Sequence, residues 1–145
     1  MEFRLAKLRD ATDLYLLEKE VFTSPWTLEQ FERELKDNEF AKTYVIYEGE
    51  TLVGYINYWI IFDQATINKV CIRESYRKQG LAQKLIDSCL LDLKENECMV
   101  VTLEVRVSND NAIKLYEKNG FETVLRKECY YSDGEDAFYM VKGVN

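Results

Sequence analysis

Between Val70 and Leu85 the chain runs from a strand-like stretch, through a polar loop, into a helix, and this passage restricts the fold most. The strand-like residues extend from Ala65 to Ile72, entered through Asp63-Gln64. Beyond the loop, Ala82, Leu85, Ile86, Cys89, Leu90 and Leu93 fall on one broad apolar face, the pattern of a helix that covers a core. Gly80 and Ala82 keep side chains away from the point where that helix starts. The N–H groups of a first helical turn lack intrahelical partners and carry roughly +0.5 charge, which suits a phosphate or pyrophosphate. Arg77, Lys78 and Lys84 add cations beside it. The same residues also describe an ordinary helix start with solvent-facing bases, so the pattern alone leaves both readings open.

The rest of the chain alternates around this passage. Phe3 to Leu8 reads as a first strand, and Asp10 can cap a helix that places Leu14, Leu17 and Val21 at helical spacing. Pro25-Trp26 interrupts it. Thr27 and Gln30 have the spacing of a capping box ahead of a second helix with Leu28, Phe31 and Leu35 on one face. Thr43 to Tyr47 and Leu52 to Ile61 read as the arms of a hairpin around Glu48-Gly49-Glu50. Val100 to Val107 reads as a strand, and Asp110 to Lys118 as a helix capped by Asn109 and stopped by Asn119-Gly120. Two last strands, Thr123 to Cys129 and Ala137 to Val141, flank Ser132-Asp133-Gly134. The order β-α-α-β-β-β-α-β-α-β-β describes an α/β fold with a mixed, mostly antiparallel central sheet. Its three successive antiparallel strands argue against a doubly wound nucleotide fold.

A chain of 145 residues fits one domain, residues 1–145, around one core. It holds no run of the length a membrane helix needs, and Met1-Glu2-Phe3-Arg4 lacks a signal-peptide profile, so a cytoplasmic protein is expected. The net charge of −7 disfavours nucleic acid as a partner. Histidine is absent, which excludes histidine-assisted serine and cysteine mechanisms and leaves a carboxylate, cysteine, tyrosine, lysine or relayed water as base. Cys71, Cys89, Cys98 and Cys129 form no CxxC pair, so neither a metal site nor a disulfide framework is expected.

The spacing Arg77-x-x-Gly80-x-Ala82 resembles the Q/R-x-x-G-x-G/A signature of the GNAT acetyltransferases, and the element order resembles that fold along essentially the whole chain. Leu103 to Asn109, Ala112 to Tyr116 and Gly120-Phe121 look like the second half of the family. Pro25-Trp26, Leu103-Glu104-Val105-Arg106, Tyr130-Tyr131 and Gly134 to Ala137 resemble the branch that acetylates the N-terminal alanine of small-subunit ribosomal protein eighteen. Ala82 replaces the commoner second glycine, which the signature permits.

The resemblance implies acetyl-CoA as cosubstrate and a protein N-terminus, expected to be that of a ribosomal protein, as acceptor. It implies backbone contacts from Val70, Cys71 and Ile72 to the thioester and pantetheine arm. Lys78, Gln79, Gly80, Leu81, Ala82 and Gln83 would form the pyrophosphate cradle, and Asn109 would meet the pantetheine arm. It makes Glu104 the general base and Tyr116 the general acid, where alternation alone would leave Glu104 a solvent-facing strand residue and Tyr116 a core-edge aromatic. Trp26, Tyr130 and Tyr131 either line the acceptor groove or only pack; Cys71 reads as a small apolar filler.

The chemistry is consistent with an α-amine. Holding an amine of pKa ~8 neutral at pH 7 costs roughly 1.4 kcal/mol, whereas a lysine amine costs more than ~4 kcal/mol. One glutamate, or a glutamate-bound water, suffices for the first. Another protein N-terminus, an acceptor lysine, a small amine, and a catalytically silent acyl-CoA-binding module remain the alternatives.

Overall fold

The computed structural model describes residues 1–144. Its sheet is assembled from β1 (Glu2–Leu5), β2 (Ala41–Glu48), β3 (Thr51–Ile61), β4 (Gln64–Ile72), β5 (Val100–Arg106), β6 (Glu122–Lys127) and β7 (Ala137–Gly143). The helices are α1 (Ala11–Val21), α2 (Leu28–Lys36), α3 (Leu81–Glu95) and α4 (Asp110–Lys118). The strand order is β1-β2-β3-β4-β5-β7-β6. Every neighbouring pair is antiparallel except β4 and β5, so the expected α/β fold with a mixed sheet is the one observed.

Short-range signals formed as read. Thr27 Oγ1 accepts from Gln30 N–H at 3.1 Å, and Gln30 Oε1 accepts from Thr27 N–H at 2.8 Å, closing the capping box. The N-terminus differs. The strand ends at Leu5 rather than Leu8, and Leu8–Asp10 forms a 3-10 turn. Asp10 makes no capping bond to α1, because other donors take its carboxylate: Lys7 N–H at 2.7 Å, the Arg4 guanidinium at 2.8 and 3.0 Å, and the Tyr47 hydroxyl at 3.1 Å.

The sheet is covered on both faces. Leu81, Leu85, Ile86, Cys89 and Leu93 of α3 join Tyr116 and Phe121 over Ile56, Ile67, Leu103 and Val105. On the other face Leu14, Leu17 and Phe31 cover Val45, Leu52, Tyr55 and Cys71. Strand β3 serves both layers, and an extra residue, Val53, sits between its Ile46↔Gly54 and Tyr47↔Leu52 pairs. Such a bulge changes which parity faces which side.

A second bulge decides where a site can form. Asn57 pairs with Lys69 and Tyr58 with Ile67, leaving Asn68 as the extra residue of β4. Parallel pairing of β4 with β5 runs from Gln64↔Val100 to Ile67↔Leu103 and stops there. Beyond it β4 continues on β3 alone, while β5 continues on β7 through Glu104↔Tyr139, Val105↔Phe138 and Arg106↔Ala137. A wedge therefore opens in the middle of the sheet. Gly54 lets β3 lie close against the released end of β4, since a Cβ there would lie 2.6 Å from the Cys71 carbonyl oxygen.

Candidate active site

The loop from Arg73 to Gly80 turns β4 into α3. It needs the left-handed region at Lys78 (φ 64°) and again at Gly80 (φ 77°), the residue immediately before α3. Lys78 adopts it at some cost, and Gly80 adopts it freely. A Cβ at Gly80 would meet nothing within 4 Å, so the glycine answers to backbone angle rather than to crowding.

The turn leaves a row of free donors. Arg77 N–H donates to the Glu74 carbonyl at 3.2 Å, and Lys84 N–H donates to the Gly80 carbonyl at 3.2 Å. Between them, the N–H groups of Lys78, Gln79, Gly80, Leu81, Ala82 and Gln83 have no acceptor among the described residues. Buried amides rarely go unpaired, but these lie at an exposed loop and helix start and are available to an anion. Arg77 steadies the approach by donating from Nε to the Ile72 carbonyl at 3.0 Å. The Gln83 and Asn119 side chains exchange hydrogen bonds at 2.7 and 2.9 Å, fixing the start of α3 to the end of α4.

The wedge opens between the candidates on β4 and the candidate on β5. Val70, Cys71 and Ile72 form the edge of β4 that has left β5, and Glu104 is the first residue of β5 beyond the last paired position. Leu103 and Val105 point into the α3 and α4 layer, so alternation turns Glu104 to the opposite face. Its Oε1 accepts from Lys127 Nζ at 3.0 Å, while Oε2 takes no hydrogen bond among the described residues. That bond holds the Lys127 ammonium above its ordinary value.

Tyr116, on α4, is buried and stacks edge-on against Phe121 with centroids 5.8 Å apart. Its hydroxyl has no hydrogen-bond partner among the described residues, yet it is not among fully enclosed unpaired atoms, so it opens onto space. Burial, and next the neighbouring Tyr131, push this phenol above its ordinary value. Asn109 uses its side-chain oxygen to cap α4, accepting from Ala112 N–H at 3.2 Å. The Cys71 thiol is pushed up to about 12 by burial and then by Glu18, so it is no thiolate near neutrality.

Two loops flank the wedge on the Glu104 face. Trp26 is half-buried against Phe31, with centroids 5.3 Å apart, and its backbone N–H donates to Glu18 Oε1 at 2.6 Å. Tyr130 is exposed and Tyr131 stacks edge-on against it at 5.0 Å. The Arg106 guanidinium lies 4.1 Å from the Tyr131 ring centroid and donates to Asp133 at 2.9 Å and Glu135 at 2.9 Å. Ser24 and Ser132 hydroxyls meet at 3.2 Å, joining the α1–α2 loop to the β6–β7 loop.

Several side chains here escape sequence reasoning. Lys127 lies two strands from Glu104, with β7 between them. Glu18 is 0% exposed, bound by Lys69 Nζ at 2.7 Å and by the Tyr55 hydroxyl. Its signal was a charged residue one helical turn after Leu14, on the stripe that faces the core. Among the described residues no group of His, Cys, Asp or Glu is placed to hold a metal ion, and no helix is long and apolar enough to cross a membrane.

Known proteins share this fold. The model of the Acetyltransferase (GNAT) family matches residues 11–121. A Bacillus subtilis (strain 168) relative, provisionally named a ribosomal protein bS18-alanine N-acetyltransferase, is 39% identical over 143 residues, covering 98% of this chain and 95% of its own length. The crystal structure of the ribosomal-protein-S18-alanine N-acetyltransferase from Escherichia coli superposes with a TM-score of 0.90 at 25% identity, covering 99% of this chain and 94% of that one. Arabidopsis thaliana NAA60 in complex with acetyl-CoA shares the fold, with a TM-score of 0.87 at 22% identity over 99% of this chain and 98% of its own.

Proposed function

The chain belongs to the GNAT acetyltransferase family, and from that premise we propose that it transfers the acetyl group of acetyl-CoA to a protein N-terminus, the alanine of small-subunit ribosomal protein eighteen. The observation that carries the reading is the wedge past Ile67↔Leu103, which sets Glu104 beside the released edge of β4. The free N–H groups from Lys78 to Gln83 support acetyl-CoA as cosubstrate, because they are a donor row fitted to a pyrophosphate. The names of the Bacillus subtilis and Escherichia coli relatives support the acceptor.

Acetyl-CoA supplies the activated thioester. Glu104 takes the proton of the acceptor ammonium on its free Oε2, directly or through a water, and so frees the amine lone pair to form the new C–N bond. Unpaired N–H groups along Val70 to Ile72 meet the negative charge that builds on the carbonyl oxygen as the C–N bond forms, and that charge passes to sulfur as the C–S bond breaks. Tyr116 hydrogen-bonds the departing sulfur from the opposite face. Burial raises the phenol, so full proton transfer to a thiolate of pKa ~8.5 is uphill, and the hydrogen bond is its main contribution. Trp26, Tyr130 and Tyr131 border the groove in which the acceptor lies, and Asn109 meets the pantetheine arm with whatever hydrogen-bonding capacity its cap leaves.

Incubation with acetyl-CoA and an N-terminal hexapeptide of that ribosomal protein tests the reading. Mass increase at the α-amine is expected. Acetylation of lysine side chains or small amines in its place would sink the acceptor assignment and leave the fold untouched.

A further inference from the structure

We propose that Lys127 is a positioning residue for Glu104: it holds one carboxylate oxygen in an ion pair and leaves the other, charged, facing the acceptor amine. The inference rests on the reading of Glu104 as the base. Lys127 Nζ lies 3.0 Å from Glu104 Oε1, and no other cation pairs with Glu104 among the described residues. The ammonium is fixed where it is by two phenol rings, 4.8 Å from the Tyr139 centroid and 5.2 Å from that of Tyr130. Tyr139 is the cross-strand partner of Glu104, so Lys127 reaches over β7 to arrive there.

The groups that face the pair are few. Tyr139 comes from β7, and Tyr130 and Tyr131 come from the β6–β7 loop. Tyr131 is pushed up to about 12, mainly by burial, so it stays neutral at working pH. Arg106, further along β5, is committed to Asp133 and Glu135. On β4 the Lys69 ammonium is committed to Glu18, so Lys127 is the cation paired with Glu104 among the described residues. Both partners are partly exposed, so the pair adds little to stability. Its value lies in orientation: a carboxylate held at one oxygen cannot rotate its free oxygen away from the wedge.

The test compares the parent with Lys127→Met, Lys127→Gln and Lys127→Arg in steady-state acetylation of an alanine-terminated peptide from about pH 6 to about pH 9.5. Acetyl-CoA affinity by calorimetry and the Tm are read alongside. Removing an opposite charge at this distance should move the acid limb of kcat/KM to higher pH, a loss that is largest at the acid end of the range and vanishes near pH 9. Acetyl-CoA affinity should hold, and Lys127→Arg should restore the parent profile. A uniform loss at every pH, or an unmoved limb in both neutral variants, would overturn the inference. Glu104→Gln separates the two claims. If it retains full activity, the base reading itself falls; if it is inactive while the neutral Lys127 variants keep the parent profile, only the role of Lys127 falls.

Discussion

Ile67 and Leu103 are the last residues at which β4 and β5 pair, and Glu104 and the Val70 to Ile72 edge lie on the two sides of the gap that opens beyond them. The gap follows from the bulge at Asn68, which bends β4 away, and from β7, which continues to bind β5 past the same point. A split parallel pair leaves two facing free strand edges and admits a ligand to the middle of a sheet.

Glu104→Gln should lower kcat by about 10²-fold or more, the usual worth of a positioned general base, with the deficit greatest at low pH where the amine must be deprotonated. Tyr116→Phe should lower kcat with little change in acetyl-CoA affinity. Steady-state rates across pH, with calorimetric titration of acetyl-CoA, measure both. A flat ratio of Glu104→Gln to parent across pH would contradict the assignment.

Gly80→Val forces a branched side chain into the left-handed region at φ 77°. Strain of about 1–2 kcal/mol is expected, relieved by rotating the loop and so disordering the donor row from Lys78 to Gln83. Acetyl-CoA affinity should fall by roughly tenfold, on the basis that 1.4 kcal/mol is tenfold. Unaltered affinity would mean that the loop does not hold the cosubstrate.

Glu18→Ala strands Lys69 and removes the acceptor of the Trp26 N–H and the Tyr55 hydroxyl. Breaking a buried pair from one side costs about 3–5 kcal/mol, so denaturant unfolding should show a loss of that order. The α1–α2 loop, held through Trp26, should exchange its amide hydrogens faster. A loss below about 1 kcal/mol would mean that the pair is not buried as described.

The loop between β6 and β7 should loosen in acid. The N–H of Glu135 and the Arg106 guanidinium hold the Asp133 carboxyl below its ordinary range; hydrogen bonds from Ser108 and Arg106 do the same for Glu135. A carboxyl whose folded value lies below its unfolded one stabilises fully above the unfolded value, and that stabilisation is lost as pH falls through the folded value. Below about pH 4, where carboxylates titrate, the amides of Ser108 and Gly134 should therefore lose protection in hydrogen exchange. Arg106→Met should produce the same loosening at neutral pH, and equal protection in both proteins would refute the anchoring role.

Much of the fold could be read in the residues because its signals are local. The Thr27 and Gln30 box, the Asn109 cap and the turn at Gly80 each act within four or so positions, where backbone geometry leaves few choices. Periodicity placed the strands and helices in their order for the same reason. Asp10 is the instructive exception. A cap residue was legible there, but Arg4 and Tyr47 outbid the helix for its oxygens, and that competition exists only once β1 and β2 pair.

The sequence by itself determined the order of elements, the donor row before α3 and the residue types available for chemistry, with no histidine among them. The tertiary structure alone decided that β7 inserts between β5 and β6, that β4 leaves β5 after Ile67, and that Lys127 reaches Glu104. Strand pairing joins residues far apart in the chain, and the balance of twist, bulges and two-sided packing that selects the partners has no short-range signature.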